Sequence, residues 1–375
     1  MPFSKFTKMK MTGLNVVIPD YPRSIDEDIA EFDHDQAKLA RAKKVVGYGT
    51  RYSCPPGLTP ADLALAAAES LIEDLGLDRA GIEALVCVTQ KPDFTQPGSS
   101  FFLHHRLGLA KNCACLDLNQ GCSGFVYGLW LAGSLLESGA VRRVLLLTAD
   151  YCPPDGQARN RLLFGAAGAA AWLEYDEAAP ESFFSLGADG GGYEDIIIPA
   201  GGARLPIQAD VLGLTIEDRQ GGRTNLIDGY IDGLEVFNFS VREVPPNVRG
   251  LLDYAGLEAE DVAFAAFHQA NKQIVDSIAA KSGLAKEQYS TRTFSEYGNQ
   301  SSVSVPGVLA HILAERAARE RLKVLLCGYG IGAAWASCLT DLDHIHCRLI
   351  KRKFDDLRSR EEEIAYWVRR ISQGK

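Results

Sequence analysis

Short aliphatic or β-branched runs alternate along this chain with alanine- and leucine-rich stretches of helical length, a pattern that predicts an α/β fold layered around parallel or mixed sheets. Ala114-Cys115-Leu116-Asp117-Leu118 reads as a strand, Ser123 to Ser138 as a helix closed by Gly139, and Arg143 to Ala149 as the next strand, together one βαβ unit. The helix carries Phe125, Val126, Leu129, Trp130, Leu131 and Leu136 on nearly every side, which predicts an interior position. The second half repeats the logic: Val262 to Phe267 reads as a strand, Asn271 to Ser282 as a helix stopped by Gly283, and Lys323 to Leu326 as another strand. No low-complexity linker separates the halves, so we expect one shared core, divided near residue 180 into segments 1–180 and 181–342. From Ile350 onward, Ile350, Phe354, Leu357, Ile364, Val368 and Ile371 step mostly by three and four among charged residues, so residues 343–375 read as an amphipathic helical tail. Such a tail packs on the body or across a dimer interface; docking on another partner or a membrane is the alternative.

Composition narrows the function classes. With 375 residues, 46% hydrophobic and 23% charged, the chain is globular in character and neither disordered nor fibrous. A net charge of -9 argues against nucleic-acid binding driven by phosphate neutralisation. The nine cysteines are odd in number and scattered, and a chain of this size needs no covalent staples, so they read as reduced. The N-terminus lacks an apolar core of the secretory type, and no stretch approaches the ~18 apolar residues of a membrane span; a cytoplasmic location is expected.

Four segments carry candidate chemistry. Cys122 lies in Leu118-Asn119-Gln120-Gly121-Cys122-Ser123-Gly124-Phe125, where a strand turns into the buried helix. Most free cysteines are merely small buried hydrophobes, but a sulfur at a helix start faces the positive end of the dipole and unpaired N–H groups, which favour the thiolate. The dipole contributes ~0.3–2 kcal/mol, too little alone to bring a thiol to neutrality, so a second activating group is needed. His268 ends the strand Val262 to Phe267 and opens His268-Gln269-Ala270-Asn271; a purely structural histidine is the competing reading. Tyr297-Gly298-Asn299-Gln300-Ser301-Ser302 reads as a polar turn before a helix, or as a plain cap. Gly328-Tyr329-Gly330-Ile331-Gly332 links two strands, either as a tight connection or as a source of backbone N–H donors for an oxyanion.

In this order and spacing, Gly121-Cys122-Ser123-Gly124-Phe125, His268-Gln269-Ala270-Asn271 and Gly298-Asn299 resemble the β-ketoacyl-acyl-carrier-protein synthase III family over about residues 10 to 340, with weaker support from Phe164-Gly165-Ala166-Ala167-Gly168-Ala169 and Ala188-Asp189-Gly190. The resemblance implies a thiolase-like fold, two similar βαβ-based halves forming a layered α-β-α-β-α core. It implies that Cys122 takes an acyl group from a thioester of CoA or acyl carrier protein. It also implies decarboxylation of a malonyl-acyl-carrier-protein extender, with His268 and Asn299 donating to the enolate and the backbone N–H groups of Cys122 and Ile331 holding the tetrahedral oxyanion. No metal or other cofactor is implied. Family position assigns Gln96, Leu234 and Tyr329 to the substrate pocket, Lys272 and Gln273 to carrier-protein docking, and a homodimer to the assembly.

Several positions depart from the acetyl-CoA-using pattern. Arg41 and Val45 stand where Trp and Arg grip the adenine end of CoA, Leu234 replaces an Asn beside the pantetheine arm, Gln273 replaces a docking Arg next to Lys272, Gln96 replaces an aromatic that reaches the partner subunit's acyl pocket, and Ile331 replaces Gly. A primer longer or less usual than acetyl is therefore expected. A type III polyketide synthase shares the Cys/His/Asn set but carries Gly-Phe-Gly-Pro-Gly near its end and lacks His-Gln-Ala-Asn. Acyl transfer to a hydroxyl or amine makes no use of Asn299, and an inactive partner subunit has no need of an intact set. Cys113-x-Cys115 and His344-x-His346-Cys347 lack the second cluster that a structural zinc site requires.

Overall fold

The structure, a computed structural model, describes residues 2–150, 158–217 and 223–373. The strands of its two large sheets are β1 (Phe3–Phe6), β2 (Met9–Pro19), β3 (Ala84–Val88), β4 (Ala114–Leu118), β5 (Arg143–Asp150), β6 (Ala167–Tyr175), β7 (Ser182–Ala188), β8 (Phe264–Phe267), β9 (Arg321–Gly330), β10 (Ala334–Asp343) and β11 (His346–Arg352). The helices that matter here are α1 (Gln36–Val46), α2 (Pro60–Leu75), α3 (Ser99–Arg106), α4 (Gly124–Glu137), α5 (Gly233–Ala255), α6 (Lys272–Lys281), α7 (Ser304–Val308) and α8 (Arg360–Gln373). Six strands pair in the order β11-β2-β6-β5-β3-β4 and five in the order β1-β7-β10-β9-β8. One succession recurs in both sheets. β3 runs parallel to β5, β5 antiparallel to β6, and β6 antiparallel to β2. Likewise β8 runs parallel to β9, β9 antiparallel to β10, and β10 antiparallel to β7.

Period-two alternation along the central strands sets the layers. On β5, Val144 and Leu146 face one core with Val324 and Leu326 of β9, and Phe125, Val126 and Leu129 of α4 fill the space between. Leu145 and Leu147 face the opposite way, onto Leu63, Ala67 and Leu71 of α2 and Leu103 of α3. On β9, Leu325 and Cys327 meet Val248 and Leu251 of α5 and Ile274 and Ile278 of α6. The result is an α-β-α-β-α stack. Its middle helix α4 is apolar nearly all round because a sheet covers it on each side, as the sequence suggested.

The tail corrects the sequence reading. His346–Arg352 is not helical but a strand, β11, paired parallel with β2 from His346 opposite Gly13 to Arg352 opposite Pro19. Ile350, Phe354 and Leu357 step by three and four, yet they pack on the α2 layer from a strand and the irregular chain after it, so the spacing mimicked a helix without one. Only α8 is helical. Ser359 caps it, accepting from Glu362 N–H at 3.2 Å while its own N–H donates to Glu362 at 2.8 Å. Trp367 meets Phe94 edge-on with ring centroids 5.8 Å apart, leaving Ile364, Val368 and Ile371 exposed.

Behind the segment that carries Gly298 and Asn299 lies a buried ion cluster. Asp28 pairs with Arg51, both side chains almost wholly buried, and also with Arg23 at 2.6 Å and Arg161 at 3.4 Å. A Cβ on Gly298 would lie 3.2 Å from Arg51 Cβ, so the cluster backs the turn that carries Asn299. Asp28→Ala is therefore expected to destabilise the fold by about 3–5 kcal/mol, because it takes the carboxylate away from the buried Arg51 guanidinium. Urea denaturation measures this, and a loss below about 1 kcal/mol would show that water reaches Arg51.

Candidate active site

Cys122 sits in the turn from β4 into α4, one residue before the cap Ser123 and 8% exposed. The hairpin between β9 and β10 presses its tip onto this turn. A Cβ on Gly330 would stand 2.7 Å from Cys122 Cβ and 2.9 Å from Sγ, so only glycine, here at φ +152°, lets the backbone come so close. The main-chain N–H groups of Ile331 and of Cys122 face the sulfur. The helix start was expected to lower this thiol partway, with a second activating group needed; in the free chain burial instead pushes it up to about 11. A hydrogen bond with Ser301 acts downward, the Asp150 charge upward, and the two N–H groups downward again. Desolvation outweighs the dipole because the sulfur's seat is dry.

His268 follows β8, its N–H bonded to Cys327 O at 2.7 Å and its carbonyl accepting from Tyr329 Oη at 2.9 Å. The imidazole lies edge-on to the Tyr329 ring, with centroids 5.4 Å apart. Burial holds its pKa down to about 3, against a weaker upward pull from a hydrogen bond with the Ser301 main chain. It is a neutral ring whose Nδ1 has no partner among the described residues.

Asn299 is threaded between two backbones. Its N–H donates to Leu163 O at 2.9 Å, its carbonyl accepts from Gly165 N–H at 2.9 Å, and its side-chain Oδ1 accepts from Ser301 N–H at 2.8 Å. Ser301 Oγ in turn lies 3.8 Å from Cys122 Sγ. The three side chains singled out in the sequence therefore meet at one residue, Ser301, which is buried and held at φ +48°. Two further residues, not foreseen, complete the cluster. Gln90 Nε2 donates to Ser301 Oγ at 3.0 Å, and Asp150 Oδ2 accepts from Ser302 N–H at 2.8 Å. Burial raises the Asp150 pKa, although the Ser301 and Ser302 side chains and the Ser302 and Gln90 main chain oppose it. Both follow from topology, for Asp150 ends β5 and Gln90 lies just beyond β3, at the carboxyl ends where α/β sheets place their sites.

The remaining assignments fall outside this cluster. Tyr329 is buried and forms the wall behind His268. Leu234 does not line the buried site: it stands 66% exposed on the first turn of α5, which Asp232 caps through Leu234 N–H at 3.1 Å. Gln96 is exposed in the loop before α3. Lys272 and Gln273 start α6 on the surface, with Lys272 Nζ paired to Asp276 at 2.6 Å; α1, which carries the exposed Arg41 and Val45, packs beside them. No disulfide joins any two of the eight described cysteines, and Cys152 lies outside the described residues. Among the described residues no group of His, Cys, Asp or Glu is arranged to hold a metal ion, and no helix is long and apolar enough to cross a membrane.

Known proteins are similar to this chain along most of its length. Residues 116–190 match the description 3-Oxoacyl-[acyl-carrier-protein (ACP)] synthase III, and residues 252–342 match its C-terminal counterpart. A Beta-ketoacyl-[acyl-carrier-protein] synthase III from Roseiflexus sp. is 33% identical over 88% of this chain and 97% of its own length. One from Symbiobacterium thermophilum is 29% identical over 89% of this chain and 98% of its own. The crystal structure of a 3-oxoacyl-(acyl-carrier protein) synthase from Burkholderia xenovorans superposes with a TM-score of 0.86 at 31% identity, covering 94% of this chain and 99% of that one.

Proposed function

Because the chain belongs to the β-ketoacyl-[acyl-carrier-protein] synthase III family, we propose that it is a condensing enzyme that joins an acyl thioester primer to a malonyl-acyl-carrier-protein extender and releases a 3-oxoacyl product. The observation that carries this reading is the meeting of Cys122, His268 and Asn299 at Ser301, inside a thiolase-like fold.

In the first half-reaction Cys122 sulfur attacks the primer carbonyl. The carbon–sulfur bond forms, the carbonyl oxygen becomes an oxyanion between the N–H groups of Cys122 and Ile331, and the carrier thiol leaves with the proton that Cys122 gives up. Both N–H groups lie beside the sulfur, where the attacked carbonyl must come. In the second, the malonyl group loses carbon dioxide, and the electron pair it leaves behind delocalises onto the thioester oxygen. That oxygen needs neutral donors rather than a base. The ring stays uncharged, so its one N–H, which the Ser301 main chain holds in the free enzyme, can turn to the enolate oxygen without a proton being lost, and Asn299, with Oδ1 engaged by Ser301, has its NH2 left to donate. The enolate carbon attacks the acyl-enzyme and Cys122 thiolate departs.

Two finer assignments rest on surface features. β4 is the outer strand of its sheet, an open edge that a second copy can extend, which favours a homodimer. Lys272 and Lys286 share the one carboxylate of Asp276, which leaves a net positive spot beside α1 for an acidic carrier. The changed residues at Arg41, Val45, Leu234 and Gln96 argue for a primer other than acetyl. Intact-protein mass spectrometry after exposure to acetyl-CoA, medium-chain acyl-CoA and acyl-carrier thioesters tests this. We expect Cys122 to take a longer or carrier-borne acyl group at least about tenfold faster than acetyl. Preference for acetyl-CoA would overturn the primer assignment, and failure to acquire any acyl mass would overturn the condensing reading.

A further inference from the structure

Ser301 occupies the left-handed region at φ +48°, which a serine enters at a cost and glycine does not. A strained residue whose backbone needs no side chain points to a use for the side chain. That side chain sits between Gln90 and Cys122. Gln90 Nε2 donates to Ser301 Oγ at 3.0 Å, filling one lone pair and leaving the hydroxyl's single proton to be given elsewhere. Two acceptors face it: Cys122 Sγ at 3.8 Å and the Asp150 carboxyl. Asp150 is buried and its Oδ2 already accepts from Ser302 N–H at 2.8 Å, whereas Ser301 Oγ is the one side-chain hydrogen-bond partner of Cys122 Sγ among the described residues.

We infer that the Ser301 hydroxyl, oriented by Gln90, is the side-chain donor that stabilises the Cys122 thiolate. The inference rests on Cys122 being the nucleophile of the proposed reaction. The step balances simply: the sulfur's proton leaves to solvent or to the departing carrier thiol, and the hydroxyl keeps its own proton while hydrogen-bonding the charge that remains. Ser301 thereby answers the need for a second activating group, a need the neutral His268 ring leaves unmet.

Ser301→Gly is the decisive variant, because it removes the hydroxyl and relieves the backbone at the same time. The readout is the rate of iodoacetamide alkylation of the Cys122 peptide, followed by mass spectrometry from pH 6 to 11. In the wild type the rate should climb with pH across most of this range, consistent with a thiol raised by burial to about 11. Ser301→Gly should shift the profile about one pH unit upward, slowing alkylation about tenfold at any pH below the plateau, with no loss of thermal stability. Gln90→Leu should shift it the same way by less. Coincident profiles for Ser301→Gly and wild type would overturn the inference. Acylation of the wild type by thioester substrates is measured alongside: if it succeeds while the profiles coincide, the inference alone fails, and if it fails, the condensing reading fails first.

Discussion

Asn299→Ala is expected to leave acylation of Cys122 within a few-fold of wild type while lowering decarboxylative condensation by about 10²–10³, the worth of one well-placed oxyanion donor. The two half-reactions separate because they draw on different donors. Acylation uses the N–H groups of Cys122 and Ile331, which belong to the α4 start and the β9–β10 hairpin. The enolate step uses the side chains that follow β8 and precede α7. The complication is that Asn299 Oδ1 also holds Ser301 N–H at 2.8 Å, so the alanine variant disturbs the Ser301 turn as well. Asn299→Asp resolves this. A carboxylate keeps an oxygen for Ser301 N–H but offers no N–H donor, so condensation should still be lost while the turn is retained. Malonyl decarboxylation and acyl-enzyme formation are measured separately, by carbon dioxide release and by intact mass. Equal loss of both activities in the aspartate variant would contradict the donor role given to Asn299.

What the sequence disclosed and what it hid follow from the range of the interactions. α4 was legible because a helix apolar on every face has only one place to go, and the strands beside it because four or five consecutive aliphatic residues demand cover on both sides. Cys122, His268 and Asn299 were legible through motif resemblance, each marking a strand end or a turn. Their meeting point was not. Ser301 looked like a helix cap, and its φ of +48° belongs to a turn held by tertiary contacts far away in the chain, Gln90 on the Ser301 hydroxyl and Gly165 and Leu163 on the main chain of Asn299. The thiol's high pKa was hidden for the same reason, since burial belongs to the assembled core whereas the dipole argument used only local order. β11 was misread because Ile350, Phe354 and Leu357 satisfy a helical spacing by accident, while the strand's real partner, β2, lies at the other end of the chain.

Gly330→Ala carries the second large effect, and it separates stability from chemistry. The added Cβ would lie 2.7 Å from Cys122 Cβ and 2.9 Å from Sγ, on a residue at φ +152°, so the hairpin tip must withdraw or the sulfur must turn away. Either movement takes the Ile331 N–H off the sulfur, and acyl-enzyme formation should fall by about 10²–10³. The fold should lose only about 1–3 kcal/mol, because a single clash at the end of a long hairpin leaves the β9–β10 ladder intact. Adding Cys122→Gly to the alanine variant removes the obstructing side chain but not the strain of an alanine at φ +152°, so the double variant should recover only the part of the lost stability that the clash caused and none of the activity. Thermal melts and intact-mass acylation read the two quantities independently. A Gly330→Ala protein that acylates at the wild-type rate would mean that the hairpin is not the oxyanion donor, and the stabilisation of the tetrahedral intermediate would then have to come from elsewhere around Cys122.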